Sequence, residues 1–237
     1  MEYDIHSPSI EAGRKLVGKA LEGHSIVFAV GNRFTLTSLS FTPLAQRACV
    51  GAFTTSNEVL ENLSRKPTLL ICSEWLEQGD GISLIQKAKS QLPELKALIF
   101  LDRDNSEVIS DSCDAGADGI CITSQLGSGQ FAVAIETILR GGVYLPHELK
   151  TNIQKDEPRG VKKLEMLSDL TDKEIETLTL LCQGKSNNEI SQSMFTSLPT
   201  TKSHVSNILS KFEQYGVSSR TGAVVLAVKN SLVDFDL

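Results

Sequence analysis

Between residues 200 and 211 the chain places Thr200, Lys202, Ser203, Ser206, Asn207 and Lys211 at spacings that share one side of an α-helix. Amines, hydroxyls and an amide in such a row bond to phosphate oxygens and to base edges in a nucleic-acid groove. The chemistry on offer is recognition rather than bond breaking. On the other side Val205, Ile208, Leu209 and Phe212 supply one apolar stripe.

A polar row is useful only if its neighbours hold it outward. Ser197 can cap this helix and Pro199 fits its first turn, where a missing N–H does no harm. Just upstream, Ile190, Met194 and Phe195 recur at helical spacing, and Ser186 with Glu189 has the pattern of a capping box. Thr171 and Glu174 box an earlier helix whose Ile175, Leu178 and Leu181 face inward and which Gly184 ends. A last helix from about Ser219 to Ser231 carries Ala223, Val224, Ala227 and Val228 on one stripe, with Val225 and Leu226 beside it. Part of that surface must cover a small core; the remainder could pair two chains. Two short helices and a turn, the second helix polar and basic, outline a helix-turn-helix.

The run from Leu170 to Ala227 resembles the LuxR/NarL-type DNA-binding domain of bacterial transcription factors. LTDKEIETLTLLCQGKSNNEI matches that family's opening helix, glycine and Asn-x-Glu-Ile, TTKSHVSNILSKF its second helix, and GVSSRTGAV the start of its last. The resemblance implies a DNA-binding set of Thr200, Thr201, Lys202, Ser203, His204, Ser206, Asn207 and Lys211. Within it Lys202, Ser203 and Ser206 face the major groove, while Thr200, His204, Asn207 and Lys211 lie near the backbone or brace the helix. Two departures stand out: Thr201 replaces the usual Val, and Glu213, Gln214 and Tyr215 are inserted before Gly216, adding nearly a turn. His204 has no partners at metal-ligand spacing, so bracing or phosphate contact is its expected role.

Upstream, IVFAV at 26–30, CVGAF at 49–53, TLLIC at 68–72, ALIFL at 97–101 and GICIT at 119–123 read as five buried parallel strands. Helical patterns at 34–44, 57–63, 82–91, 107–115 and 131–139 separate or follow them. Five such units indicate a flavodoxin-like, doubly wound α/β sheet. This cadence, with GDG at 79–81, AGADG at 115–119 and RGGVYLPHEL at 140–149, resembles the receiver domain of two-component response regulators. A working receiver needs an acidic pair for Mg²⁺, an Asp phosphate acceptor, a Thr or Ser, and a Lys; the cation is needed because a carboxylate nucleophile and a phosphoryl donor repel each other. By position these places hold Gly31 and Asn32, Ser73, Asp102 and Thr123. The resemblance therefore implies a receiver fold that neither holds Mg²⁺ in the usual way nor accepts phosphate.

Asp102, Asp104, Glu74 and Glu77 are a candidate replacement metal cluster, against the commoner reading of solvated loop charges. Ser73 as a nucleophile has no His nearby in sequence, and a serine without a positioned base is inert. No glycine-rich phosphate loop or nucleophile–base pair stands out, so neither enzyme chemistry nor a cofactor is expected.

The 237 residues suit two domains. We expect a helical extension over 1–24, the receiver-like domain over 25–150, a polar linker over 151–166 containing Pro158 and Gly160, and the all-α helix-turn-helix domain over 167–237. Ser9 can cap a helix in the extension, whose Ile10, Leu16, Val17, Ala20 and Leu21 pack on its own domain or on a partner. Cys49, Cys72, Cys113, Cys121 and Cys182 are odd in number without a C-x-x-C pair, the pattern of a reduced cytoplasmic protein, and the N-terminus lacks the apolar run of a signal peptide or membrane span.

The net charge of −6 argues against indiscriminate polyanion binding. From Glu165 onward there are six Lys/Arg against nine Asp/Glu, yet Lys185 to Lys211 carries three Lys and one Glu. Basic charge is concentrated thinly on the reading element, so a shallow salt slope is expected unless the chain dimerises. The leading expectation is a regulator that binds double-stranded DNA, as a homodimer, and is switched without Asp phosphorylation by a protein partner, a small ligand, redox change or abundance. The alternative is an interaction module with a residual helix-turn-helix.

Overall fold

The structure is a computed structural model that describes residues 8–124, 129–146, 149 and 161–233. It divides into two compact units, Met1–Leu139 and Arg140–Leu237, whereas the sequence reading kept residues up to 150 with the sheet.

The first unit is built on five parallel strands, β1 (Ile26–Ala29), β2 (Cys49–Phe53), β3 (Leu69–Ser73), β4 (Lys96–Leu101) and β5 (Gly119–Ile122). They lie in the order β2-β1-β3-β4-β5, so chain direction across the sheet reverses between β1 and β3. All four residues of β1 and of β5 are buried, as continuous apolar runs covered on both faces should be. This is the flavodoxin-like sheet expected, and in such sheets ligands collect beyond the strand C-termini at the point of reversal.

Short polar side chains start the helices. Asn32, Thr55, Asp80 and Asn105 cap α2 (Arg33–Ser40), α4 (Ser56–Glu61), α5 (Gly81–Gln91) and α6 (Ser106–Asp114), each side chain accepting a backbone N–H. The single helix expected over 34–44 is two, because Pro43 has no N–H to donate and disfavours helix in the residue before it. The chain turns at Phe41 and Thr42, and α3 (Pro43–Ala48) follows. α7 (Gln130–Leu139) completes the unit.

The N-terminal helix, α1 (Pro8–Ala20), packs on α7 within its own domain. Gly13 faces Ala132 across this contact, where a methyl would sit at an ordinary van der Waals distance of 3.5 Å from Ala132 Cβ. The helix begins at Pro8 rather than after Ser9, consistent with proline's fitness for a first helical position. α2 is different. None of its described residues is buried, and Phe34 is 81% exposed.

In the second unit α8 (Val161–Ser168) occupies the end of the stretch read as linker, with Met166 fully buried. α9 (Asp172–Cys182), α10 (Asn187–Ser193), α11 (Leu198–Phe212) and α12 (Arg220–Lys229) follow. Capping boxes at Thr171–Glu174 and Ser186–Glu189 form as their spacing requires. Leu178, Leu181, Ile190, Ile208, Phe212, Ala223, Ala227 and Val228 are fully buried and make the core.

Candidate nucleic-acid interface and strand-end rim

At the C-terminal edge of the sheet, Gly31, Asn32, Ser73, Asp102 and Thr123 all line one cavity. Each has a structural engagement there. The Gly31 N–H donates to Ser73 Oγ at 3.2 Å, and that hydroxyl donates to the Trp75 carbonyl at 2.6 Å. Asn32 Oδ1 caps α2 by accepting from the Thr35 N–H at 2.9 Å. The Thr123 hydroxyl donates to the Leu101 carbonyl at 3.1 Å. A Cβ on residue 31 would lie 2.6 Å from the Trp75 carbonyl oxygen and 2.8 Å from Leu76 Cα. Backbone cannot yield at such distances, so this place fits glycine and no side chain.

Two of the rim's other carboxylates, Glu74 and Glu77, are already paired. Glu74 is 2% exposed, accepts from Arg103 Nε at 2.6 Å and from the Asp102 N–H at 3.0 Å, and Arg103 in turn lies over the Trp75 ring at 5.0 Å. Glu77 binds Arg33 in bidentate fashion at 2.5 and 2.8 Å and accepts from the Thr54 hydroxyl at 2.7 Å. The guanidinium first, then that hydroxyl, hold the Glu77 carboxyl down to about 2. Among the described residues no three His, Cys, Asp or Glu stand close enough to share an ion, so this donor set does not fit the divalent cation that a receiver fold implies.

In the second unit, α11 is capped by Ser197 and carries Pro199 in its first turn. Val205, Ile208 and Phe212 are buried, and Thr200, Lys202, Ser203, Ser206 and Asn207 are exposed along the opposite side. His204 is half-buried between the two. Ser203 donates to the Pro199 carbonyl at 3.1 Å, and Thr200 Oγ1 lies 2.7 Å from Ser197 Oγ. At the far end Lys211 Nζ meets Glu174 Oε2 at 2.7 Å, tying α11 to the first turn of α9.

The model of bacterial regulatory proteins of the luxR family matches residues 168–227. Response regulator protein VraR of Staphylococcus aureus is 32% identical over 168 residues, covering 71% of this chain and 77% of that protein. The chain is a response regulator of the LuxR family. Among solved structures, the RcsB response regulator of Salmonella typhimurium shares the fold at a TM-score of 0.50 with 21% identity, over 85% of this chain and 96% of that one. RcsB in a complex with DNA gives 0.50 and 22%, over 89% and 99%.

Membership makes this response regulator a DNA-binding transcription regulator with a helix-turn-helix, and its geometry corrects the residue-level reading at Thr201 and Phe195. Thr201 is fully buried, its hydroxyl 3.0 Å from Thr196 Oγ1, so it belongs to the core and cannot reach DNA. It takes the place of Val without loss of volume, and its one polar atom has a partner. Lys211, expected near the backbone or bracing the helix, pairs with Glu174. Phe195, placed on the apolar stripe of α10, is 97% exposed: the helix ends at Met194 and Phe195 sits at φ 53°, turned outward.

The insertion Glu213–Tyr215 forms a 3₁₀ turn ended by Gly216 at φ 80°. Gln214 and the Tyr215 hydroxyl both donate to Asp169, at 3.0 and 3.1 Å. This brace was invisible as a pair, since Asp169 and Tyr215 are far apart in sequence. Arg220, which donates to Asn187 Oδ1 at 2.7 Å and to the Lys185 carbonyl at 2.6 Å, was likewise missed. A basic residue at a helix start is the one hint it gave.

Proposed function

We propose that this response regulator binds duplex DNA through the exposed side of α11 and is switched without phosphorylation of its receiver. Lys202, Ser203 and Ser206 enter the major groove, while Thr200, Asn207 and His204 lie toward the sugar-phosphate backbone. The observation that carries this reading is the row Thr200, Lys202, Ser203, Ser206 and Asn207 standing exposed on a helix whose other side is core. RcsB, of the same fold, has been captured on DNA. Half-buried Val225 and Leu226 on α12 are available for pairing.

The receiver reading rests on the rim. The usual acidic pair is replaced by a glycine with no room for a side chain and an asparagine spent on a cap; the acceptor place is a serine hydroxyl bonded within its own loop. The five unbridged cysteines, four of them buried, support a reducing, cytoplasmic setting.

Two experiments test the parts separately. Gel shifts with genomic fragments at low and moderate salt should reveal a retained duplex; a folded, dimeric protein that retains none overturns the DNA reading. Incubation with acetyl phosphate and Mg²⁺ should leave the intact mass unchanged, and a stable phosphoryl adduct overturns the receiver reading.

A further inference from the structure

The cavity at the strand ends encloses about 600 Å³, within the range that takes a small molecule. Its floor is the apolar end of the sheet, with Phe28, Ile71 and Phe100, and Phe131 closes one side, its ring 5.7 Å from that of Phe100. Its roof is α2, through Thr35 and Leu39. α2 contributes no buried described residue, and it is the N-terminal α1, not α2, that packs closely along α7. The helix therefore stands off the sheet and leaves apolar surface beneath it.

The mouth discriminates by charge. Glu77 and Asp102 are the only acidic residues in the lining; Arg33 pairs with the first, and among the described residues no cation pairs with the second. The Ser73 and Thr123 hydroxyls have already donated their protons to backbone carbonyls and face a ligand as acceptors. An anion would meet the repulsion of Asp102 with no cation among the lining residues to offset it; the donors there, the Asn32 amide, the Thr35 hydroxyl and the Trp75 indole N–H, are all neutral. A hydrogen-bond donor would be satisfied.

From this the geometry points to an effector site: the cavity binds a planar, uncharged aromatic molecule with an N–H or O–H at its edge, rings against Phe100 and Phe131 and donor toward Asp102, with α2 as the lid. The inference rests on the rim being released from phosphoryl chemistry, as proposed above. A ligand that fixes α2 supplies the differential affinity that a population shift needs.

The test uses the full chain and two dyes of one ring system, neutral N-phenyl-1-naphthylamine and anionic 8-anilinonaphthalene-1-sulfonate. The neutral dye should bind saturably at one site per chain, at least about tenfold more tightly than the sulfonate. Thr35→Trp, which fills the cavity from an exposed helix, should lower neutral-dye affinity at least about tenfold, with Leu39→Trp as the second filling variant should the first not fold. Phe34→Ser, on the outer side of the same helix, should change nothing. Non-saturable binding, a sulfonate that binds as well, or equal loss in Phe34→Ser would overturn the proposal. A phosphoryl adduct in the acetyl phosphate experiment would instead strike the reading beneath it, so the two failures are separable.

Discussion

Lys211 Nζ lies 2.7 Å from Glu174 Oε2, and the same oxygen accepts both the backbone N–H and the hydroxyl of Thr171. One carboxylate, 3% exposed, thus closes the capping box of α9 and anchors the C-terminal end of α11. Lys211→Met leaves that carboxylate buried without its counter-charge. It should cost about 2 kcal/mol, less than for a fully buried pair because a third of the lysine side chain is exposed. Burial pushes the Glu174 carboxyl up, but Lys211 and then Thr171 outweigh it and hold it below its ordinary value. The folded state therefore binds this proton less readily than the unfolded chain. The stabilisation is complete above the unfolded carboxylate range, near pH 4.5, and is lost as pH falls through the lower folded value. Thermal melts from pH 7 to pH 3 should show a steeper acid decline for the wild type than for Lys211→Met.

Lys202 and Thr201 are neighbours with opposite fates, one exposed and one fully buried. Lys202→Ala should weaken binding to every duplex and reduce the salt slope of log K by about 1. Thr201→Val should leave DNA affinity and salt slope unaltered. Fluorescence anisotropy across a salt series measures both, and a loss of affinity in Thr201→Val would refute the facing assigned to α11.

Gly31 faces the Trp75 carbonyl with no room for a methyl. Gly31→Ala should lower stability by about 2 kcal/mol or more, the cost of forcing atoms into packed backbone. Urea unfolding followed by the fluorescence of Trp75 reports it directly. A neutral result would remove the steric support for the proposed phosphorylation-independent receiver.

The sulfhydryls of Cys72, Cys113 and Cys121 are buried, and burial drives their ionisation upward, for Cys121 up to about 12. Half-buried Cys49 is also raised by burial, with the Gly51 carbonyl bond opposing. Because the thiolate is the reactive form, native protein at pH 8 should react slowly with Ellman's reagent, Cys49 leading, and fully only in denaturant. Fast labelling of a buried cysteine would reopen a redox input.

The boundary of the second unit is testable by truncation. A fragment starting at Val161 retains α8 and the fully buried Met166; one starting at Leu167 exposes the pocket that Met166 fills. The shorter fragment should be less stable by roughly 2–4 kcal/mol, the cost of emptying a buried methionine site, measured by chemical denaturation of both.

What could be read along the chain alone was the local chemistry. Ser186 with Glu189, Thr171 with Glu174, and Ser197 with Pro199 each marked a helix start, because a cap is settled within one turn. Five apolar runs announced the parallel sheet, because a strand covered on both faces needs no partner's sequence to be recognised. Facing at the edges of elements was decided in three dimensions. Successive helical residues are about 100° apart, so a position flanking the apolar stripe turns inward or outward according to what packs there. Thr201 went inward because Thr196 offered its hydroxyl a partner, and Phe195 outward because the helix had already ended at Met194. That α2 would stand clear of the sheet and roof a cavity is not written in its own residues. It follows from the sheet, α1 and α7 taken together, contacts that only the folded chain brings into register.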